Sequence, residues 1–479
     1  MRRSVRIRPP AQRMSTRDAG FLYLERPHAR LHIGCVALLE GKLARGDLAR
    51  RIEACLPRVR RYAQRALRVP FSLAHPIWED DPAFRAADHV HRRALPPPGG
   101  EVELLEATAE ILALPLDGDR PLWEMHIVEG LDGGRTALVQ KVHHCMIDGV
   151  SGAQLLEWLL DREPLAPPPV PRLPAVPQLP GMTRRMRRAL LENAGRAARQ
   201  AAHAVGALTR PAGARRALTD LRRAAWSALQ LAVRDIPELP WNTRIGPRRR
   251  LALTRIPLDG VKRIRAARGG TLNDVVLCFL AGGIRRYLEG NGVDVRSLEI
   301  VALVPVSLRG AEEVQGLGNR ISAMLVPLCI DRPEETARLE ATRAATERLK
   351  CGAAWVGFDA LLTLLDAVPP SLVALGGRHL PLRRFANLVA TNVPGPRETR
   401  FLCGARVEAL YPVVPVTDGL GLGIGVFSYD GWLHVGLNAD AEAVPDLEKL
   451  RAGIESAFAA LLGAPEAAGP DPRRRLDPV

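Results

Sequence analysis

The stretch EPLAPPPVPRLPAVPQLPG, residues 163–181, constrains the fold of this chain more than any other feature. Proline lacks an amide hydrogen and fixes φ, so the run forms neither helix nor inner strand and acts as a semi-rigid spacer. It divides a chain of 479 residues, too long for one typical core, into two parts. Each part mixes strand-like apolar runs with helical spacing, which predicts two α/β (α+β) lobes.

The boundaries follow from composition. Residues 1–15 read as a disordered basic leader, with Met14 a second candidate start. Residues 16–165 form the first lobe. Within it LHIGCVALLEG reads as a strand, 47–59 and EVELLEATAEILALPL as helices, and WEMHIVEGL with RTALVQKVHH as a hairpin. Residues 166–240 are a linker, Pro-rich and then Arg-rich and helical, with eleven arginines against two acids over 184–223. Leu190, Leu191, Ala194 and Ala198 are its candidate packing stripe. Residues 241–465 form the second lobe, in which Thr271 is placed to cap a helix running through Tyr287. Residues 466–479 read as a disordered tail.

Several function classes recede at once. No window offers the ~18 uncharged apolar residues of a membrane span, and the N-terminus has no apolar core of a secretory signal. The seven cysteines are scattered without a C-x-x-C pair, which suits free thiols in a reducing compartment rather than a zinc site. The net charge of +15 comes without aromatics interleaved in a basic patch, only 4% of residues being aromatic, so no nucleic-acid partner is expected. Two readings of the charge remain, a plain coding bias toward Arg, Ala and Pro, and attraction to anionic lipid headgroups.

The chemistry concentrates in VHHCMIDGVSG, residues 142–152. Side chains alternate along a strand, so His143 and His144 cannot both face one pocket. His144 is the better general base, because Asp148 follows it by one tight turn. Asp148 either orients that ring or pairs with an arginine. Gly149 permits the bend, and Ser151 with Gln154 would cap the next helix. Adjacent strand positions diverge, so no metal site is expected from these residues.

The H-x-x-x-D-G of 144–149 resembles the motif of the CoA-dependent acyltransferase superfamily. DAGFLYLE (18–25), PLDGDRPLWE (115–124), Asn273-Asp274, VPVSLR (304–309), LGNRISAMLVPL (317–328) and ATNVPGP (390–396) are similar, in that order, to segments of the bacterial wax ester synthase/diacylglycerol acyltransferase family. The resemblance implies two chloramphenicol-acetyltransferase-like lobes with the active site in the channel between them. It implies that His144 is the base in transfer of a long-chain acyl group from acyl-CoA, a co-substrate, to diacylglycerol or a long-chain alcohol, with no other cofactor. His143, Asp148 and Gly149 complete the catalytic corner. Asn273, beside Asp274 at a helix start, is the candidate oxyanion donor. Pro121, Leu122 and Trp123, and likewise Asn392 and Gly395, resemble family motifs near the pocket; strand packing and a Pro-Gly turn are their plainer explanations. The same resemblance implies a cytoplasmic protein held peripherally at the inner membrane or at lipid inclusions. A different hydroxyl acceptor (sugar, polyketide or antibiotic) and a non-catalytic lipid-surface protein are the alternatives.

Overall fold

The structure is a computed structural model that describes residues 12–147, 156, 158–166, 168–170, 178–209, 219, 222, 236–307, 321–351, 366, 368–377 and 382–463. Asp148, Gly149, Ser151 and Gln154 lie outside the described residues, as do 1–11 and 464–479.

The strands in chain order are β1 (Gln12–Arg13), β2 (His32–Leu39), β3 (Gln64–Leu67), β4 (Ile77–Asp80), β5 (Val90–Ala94), β6 (Trp123–Glu129) and β7 (Thr136–His143) in the first half. The second half contributes β8 (Arg249–Pro257), β9 (Ile300–Ser307), β10 (Ile321–Leu328), β11 (Leu388–Pro394), β12 (Phe401–Leu402), β13 (Ala405–Val413), β14 (Leu422–Tyr429) and β15 (Trp432–Asp440). One six-stranded sheet has the order β12-β13-β2-β7-β6-β5, the other β10-β9-β11-β14-β15-β8, and β1-β4-β3 form a small third sheet.

The two-lobed α/β architecture is therefore present, with one exchange across the lobes. The sequence reading placed all of 241–465 in the second lobe, yet β13 pairs antiparallel with β2 of the first. The physical reason is edge protection: without β13 the buried strand β2 would present an unpaired row of amides. Helix α3 (Glu101–Ala113), which follows α1 (Thr16–Leu24) and α2 (Arg45–Cys55) along the chain, joins the lobes from the other side. Leu104, Ile111 and Leu112 share one buried cluster with Leu251 and Leu253 of β8 and Tyr411 of β13.

The second lobe is built around the helix Leu272–Gly290, whose start is set by local chemistry. The Thr271 hydroxyl accepts from the Asp274 amide at 3.2 Å, and Asp274 Oδ2 accepts from the Thr271 amide at 2.7 Å. This is the reciprocal capping box that satisfies two orphan donors. Gly282 and Gly283 lie mid-helix, where each costs about 1 kcal/mol against alanine. A Cβ on Gly282 would stand 2.7 Å from that of Ala457, and one on Gly283 2.8 Å from the Ile454 Cα. The helix Leu447–Gly463 can approach closely only because these side chains are missing.

Two expectations for the flanking segments change. Residues 12–15 of the supposed leader are structured: β1 pairs with β4, Met14 is buried, and Ser15 caps helix α1 (Thr16–Leu24). In the linker, the helix Met182–Thr209 does not pack through its leucines. Leu190 and Leu191 are 55% and 66% exposed. Polar anchors fix its face instead: Arg185 donates to the Arg68 carbonyl (2.7 Å), Glu192 accepts from Arg13 Nε (2.7 Å), and Asn193 donates to the Leu73 carbonyl (2.6 Å).

Candidate active site

The histidine corner is the end of β7. As strand alternation requires, Ala137 and Val139 pack toward helix α3 while Leu138 and Val142 pack into the opposite core. Lys141 and His143 share the α3 side. The strand ends at His143, so His144 stands in the turn. Three backbone bonds of 2.9 Å hold it there: His143 N–H to the Leu122 carbonyl, His144 N–H to the Leu31 carbonyl, and Met146 N–H to the His143 carbonyl.

The two rings differ in what they can do. His143 is buried, and its Nδ1 accepts from the Cys145 amide at 3.1 Å. A backbone amide can only donate, so that nitrogen carries the lone pair and the ring proton sits on Nε2. The Nε2 faces Glu25 Oε2 at 3.7 Å, beyond hydrogen-bond length but within strong charge–dipole reach. His143 thus has no lone pair left for a substrate. The His144 ring lies flat on Phe21, with centroids 3.8 Å apart and planes 9° apart, which fixes its plane.

Cys145, beside the pair, is buried, and its thiol is pushed well above its ordinary range by burial first and then by the charge of Asp18. It is a thiol, not a thiolate, and makes a poor nucleophile.

The remaining sequence candidates fall into two groups. Pro121, Leu122 and Trp123 adjoin the corner through backbone. Trp123 pairs with Val142 across the sheet, and its buried indole donates to the Tyr62 carbonyl at 2.8 Å and stacks on His89. Their side chains are core, and their service to the corner is the Leu122 carbonyl. In the second lobe, Asn392 Nδ2 donates to Asn273 Oδ1 at 3.3 Å, bringing two separate candidates together. Asp274 is spent structurally: besides the cap, its Oδ1 accepts from the Thr346 hydroxyl at 2.8 Å. Gly395 donates to the Ser428 hydroxyl at 3.1 Å and packs against Phe427, leaving no room for a Cβ.

Among the described residues, His91, Glu124 and His126 bring three possible ligand atoms within 4.8 Å of one another. The Glu124 carboxylate there is already engaged, 2.8 Å from Lys141 Nζ and 3.1 Å from His126 Nε2. It is the counter-charge of a buried ammonium rather than an open ligand. Sequence reasoning did not single out Phe21 and Glu25. Their signal was the DAGFLYLE segment, in which they stand four apart and so share one helix face.

Comparison with known proteins now identifies the family. Residues 14–276 match the wax ester synthase/diacylglycerol acyltransferase catalytic domain, and 317–462 match the C-terminal domain of the same family. The chain belongs to the wax ester synthase/diacylglycerol acyltransferase family. A chain named a probable diacylglycerol O-acyltransferase of Mycobacterium tuberculosis is 33% identical over 459 residues, covering 94% of this chain and 95% of that one. A solved wax ester synthase/diacylglycerol acyltransferase from Marinobacter aquaeolei superposes with a TM-score of 0.67 at 25% identity, over 94% of this chain and 98% of that one. The first condensation domain of a calcium-dependent antibiotic synthetase has a TM-score of 0.61 at 18% identity, over 96% and 98% of the two chains, which shows the shared two-lobed fold. The protein is an acyltransferase of this family, whose members join acyl donors to lipid acceptors. No described helix is long and apolar enough to cross a membrane.

Proposed function

We propose that this acyltransferase moves a long-chain acyl group from acyl-CoA to the free hydroxyl of diacylglycerol or to a long-chain alcohol, with His144 as general base. The observation that carries the reading is the difference between the two rings. His143 is buried, with its Nδ1 lone pair taken by the Cys145 amide and its Nε2 turned toward Glu25, while His144 is only half-buried in the turn, its ring stacked on Phe21.

His144 takes the proton of the acceptor hydroxyl as the oxygen attacks the thioester carbonyl. The tetrahedral intermediate carries its negative charge on the former carbonyl oxygen. Asn273 suits that charge: its amide oxygen is engaged by Asn392, so its NH2 group is the end free to donate. Collapse breaks the C–S bond, the imidazolium returns its proton to the sulfur, and CoA thiol and an ester leave. No residue is acylated on the way, so the protonated, buried Cys145 has no part in the reaction.

A lipid acceptor also needs a lipid surface. Phe71 is 83% exposed, Leu190, Leu191, Leu372 and Leu375 are each more than half exposed, and Arg184 and Arg187 of the helix Met182–Thr209 are exposed as well. Such a face suits peripheral attachment to an anionic bilayer or inclusion at the cytoplasmic side. Flotation with anionic vesicles should carry the protein up, and a Phe71→Ser/Leu191→Ser variant should float less.

The deciding experiment offers palmitoyl-CoA with dioleoylglycerol or hexadecanol and follows CoA-thiol release and ester formation. His144→Ala should lower both by at least ~10²-fold, the usual worth of a general base. Wild-type rates in His144→Ala would overturn the assignment of the base. Release with neither lipid alcohol would overturn the assignment of the acceptor and favour another hydroxyl.

A further inference from the structure

Helix α1 reaches the histidine corner twice. Phe21 covers His144, and Glu25, one turn on, faces His143. The Glu25 amide donates to the Phe21 carbonyl at 3.1 Å, so the two side chains are tied through one helical turn. The Glu25 side chain is 16% exposed. Around it stand His143 Nε2 at 3.7 Å, His32 Nε2 at 3.5 Å and Arg30 at 3.8 Å. Burial alone would raise its carboxyl, but the facing His143 and His32 outweigh burial and hold it below the ordinary carboxylate range. Glu25 is ionised.

We propose that Glu25 is a positioning residue for the histidine corner: its carboxylate keeps the His143 proton on Nε2, and His143 thereby pins the turn from which His144 projects. The logic is one of opposed lone pairs and protons. A neutral imidazole has one N–H, and the two tautomers compete. With the proton on Nδ1, the ring would set a donor against the Cys145 amide and a lone pair against a carboxylate. Both pairings are unfavourable in a buried site, where water cannot relieve them. With the proton on Nε2, both are favourable, and the Cys145 amide is bound. That bond closes the turn beginning at His143. Without Glu25 the tautomers become closer in energy, the amide loses its acceptor part of the time, and the backbone under His144 loosens.

The kinetic consequence rests on His144 being the base; the structural one does not. The experiment therefore reads both, on the full chain. Hydrogen exchange of the segment 140–147 reports the Cys145 amide, and CoA-thiol release reports turnover. Glu25→Leu keeps the bulk and removes the acceptor. It should speed exchange of that amide by ~10-fold or more, since local opening sets the rate. It should lower kcat by ~10-fold to ~10²-fold while KM for acyl-CoA stays within about a factor of two, as expected when a catalytic group is misplaced but substrate binding is intact. Glu25→Gln, whose amide oxygen can turn a lone pair toward Nε2–H but carries no charge, should restore part of both. If Glu25→Leu folds poorly, Glu25→Asp, which withdraws the carboxylate by one methylene, should show the same two effects in smaller measure.

Unchanged exchange at Cys145 in a folded Glu25→Leu protein would overturn the proposal. So would Glu25→Gln being as damaged as Glu25→Leu, or kcat and KM shifting only in proportion to unfolded protein. If the wild type shows no CoA release at all, the donor and acceptor of the proposed function fail, while exchange still decides Glu25.

Discussion

Asn392, on strand β11, donates its side-chain amide to Asn273, at the N-terminus of the helix Leu272–Gly290, across 3.3 Å. The bond occupies the oxygen end of Asn273 and turns its donor end elsewhere. If Asn273 stabilises the oxyanion, Asn273→Ala should lower kcat by about 10²-fold, the typical cost of one such donor. Asn392→Ala should cost less, about 10-fold, because it only frees the orientation of its neighbour. The double variant should be no worse than Asn273→Ala, and additive losses in CoA-thiol release would show that the two asparagines act separately.

Cys145 should prove dispensable. Its thiol is buried and protonated, and the mechanism requires no covalent acyl-enzyme. Cys145→Ala should retain turnover within about threefold, the main cost being about 1 kcal/mol of packing from a small cavity. Rapid quenching with radiolabelled palmitoyl-CoA should trap no acylated protein. A trapped thioester would place the nucleophile where the buried thiol now stands.

The Lys141–Glu124 pair should be a strong stability determinant of the first lobe. The Lys141 side chain is 1% exposed, and besides Glu124 its ammonium donates to the Ile111 and Leu114 carbonyls. Burial would raise the Glu124 carboxyl, but hydrogen bonds from His126 and Lys141 bring it down to about 2. A depressed carboxylate adds stability that is complete above its unfolded value near 4.5 and is lost as pH falls toward 2. Glu124→Gln should destabilise by roughly 3 kcal/mol at neutral pH, because it leaves a buried charge uncompensated. Glu124→Gln/Lys141→Met should recover much of that. Denaturant melts that place Glu124→Gln within about 0.5 kcal/mol of wild type, the range of an ordinary surface substitution, would refute this role.

His434 should make the second lobe acid-sensitive. It is fully buried on β15, edge-on to Tyr411 at 5.0 Å and near Tyr429 at 6.1 Å. Burial lowers its pKa from 6.5 to about 4. The unfolded chain therefore binds more protons between those values, and stability rises with pH through that window. On acidification from 6.5 to about 4 this group alone should cost about 3 kcal/mol. Thermal melts of His434→Leu should show a shallower decline over that range than wild type. Parallel declines would mean that His434 is protonated in the fold.

What the sequence determined by itself was local. The Thr271 cap depends on near neighbours in the chain and appeared where expected, with Asp274 three residues on completing it as a capping box. Strand parity set the side of His143 because alternation is a property of one strand, whereas His144 lies one residue past the strand's end and is turned away by the backbone there. That β13 would cross to the first lobe depended on which strand edge needed covering. The leucines of the Arg-rich helix marked an apolar face, but its packing face was chosen by distant partners at Arg13, Arg68 and Leu73. Likewise, Glu25 is an ordinary helix-end carboxylate in sequence. Only when tertiary structure brings the end of α1 beside His32 of β2 and His143 of β7 does it meet them. Short-range hydrogen bonds and alternation are encoded in neighbouring residues, whereas the protonation and aim of a buried side chain are set by whatever the fold packs against it.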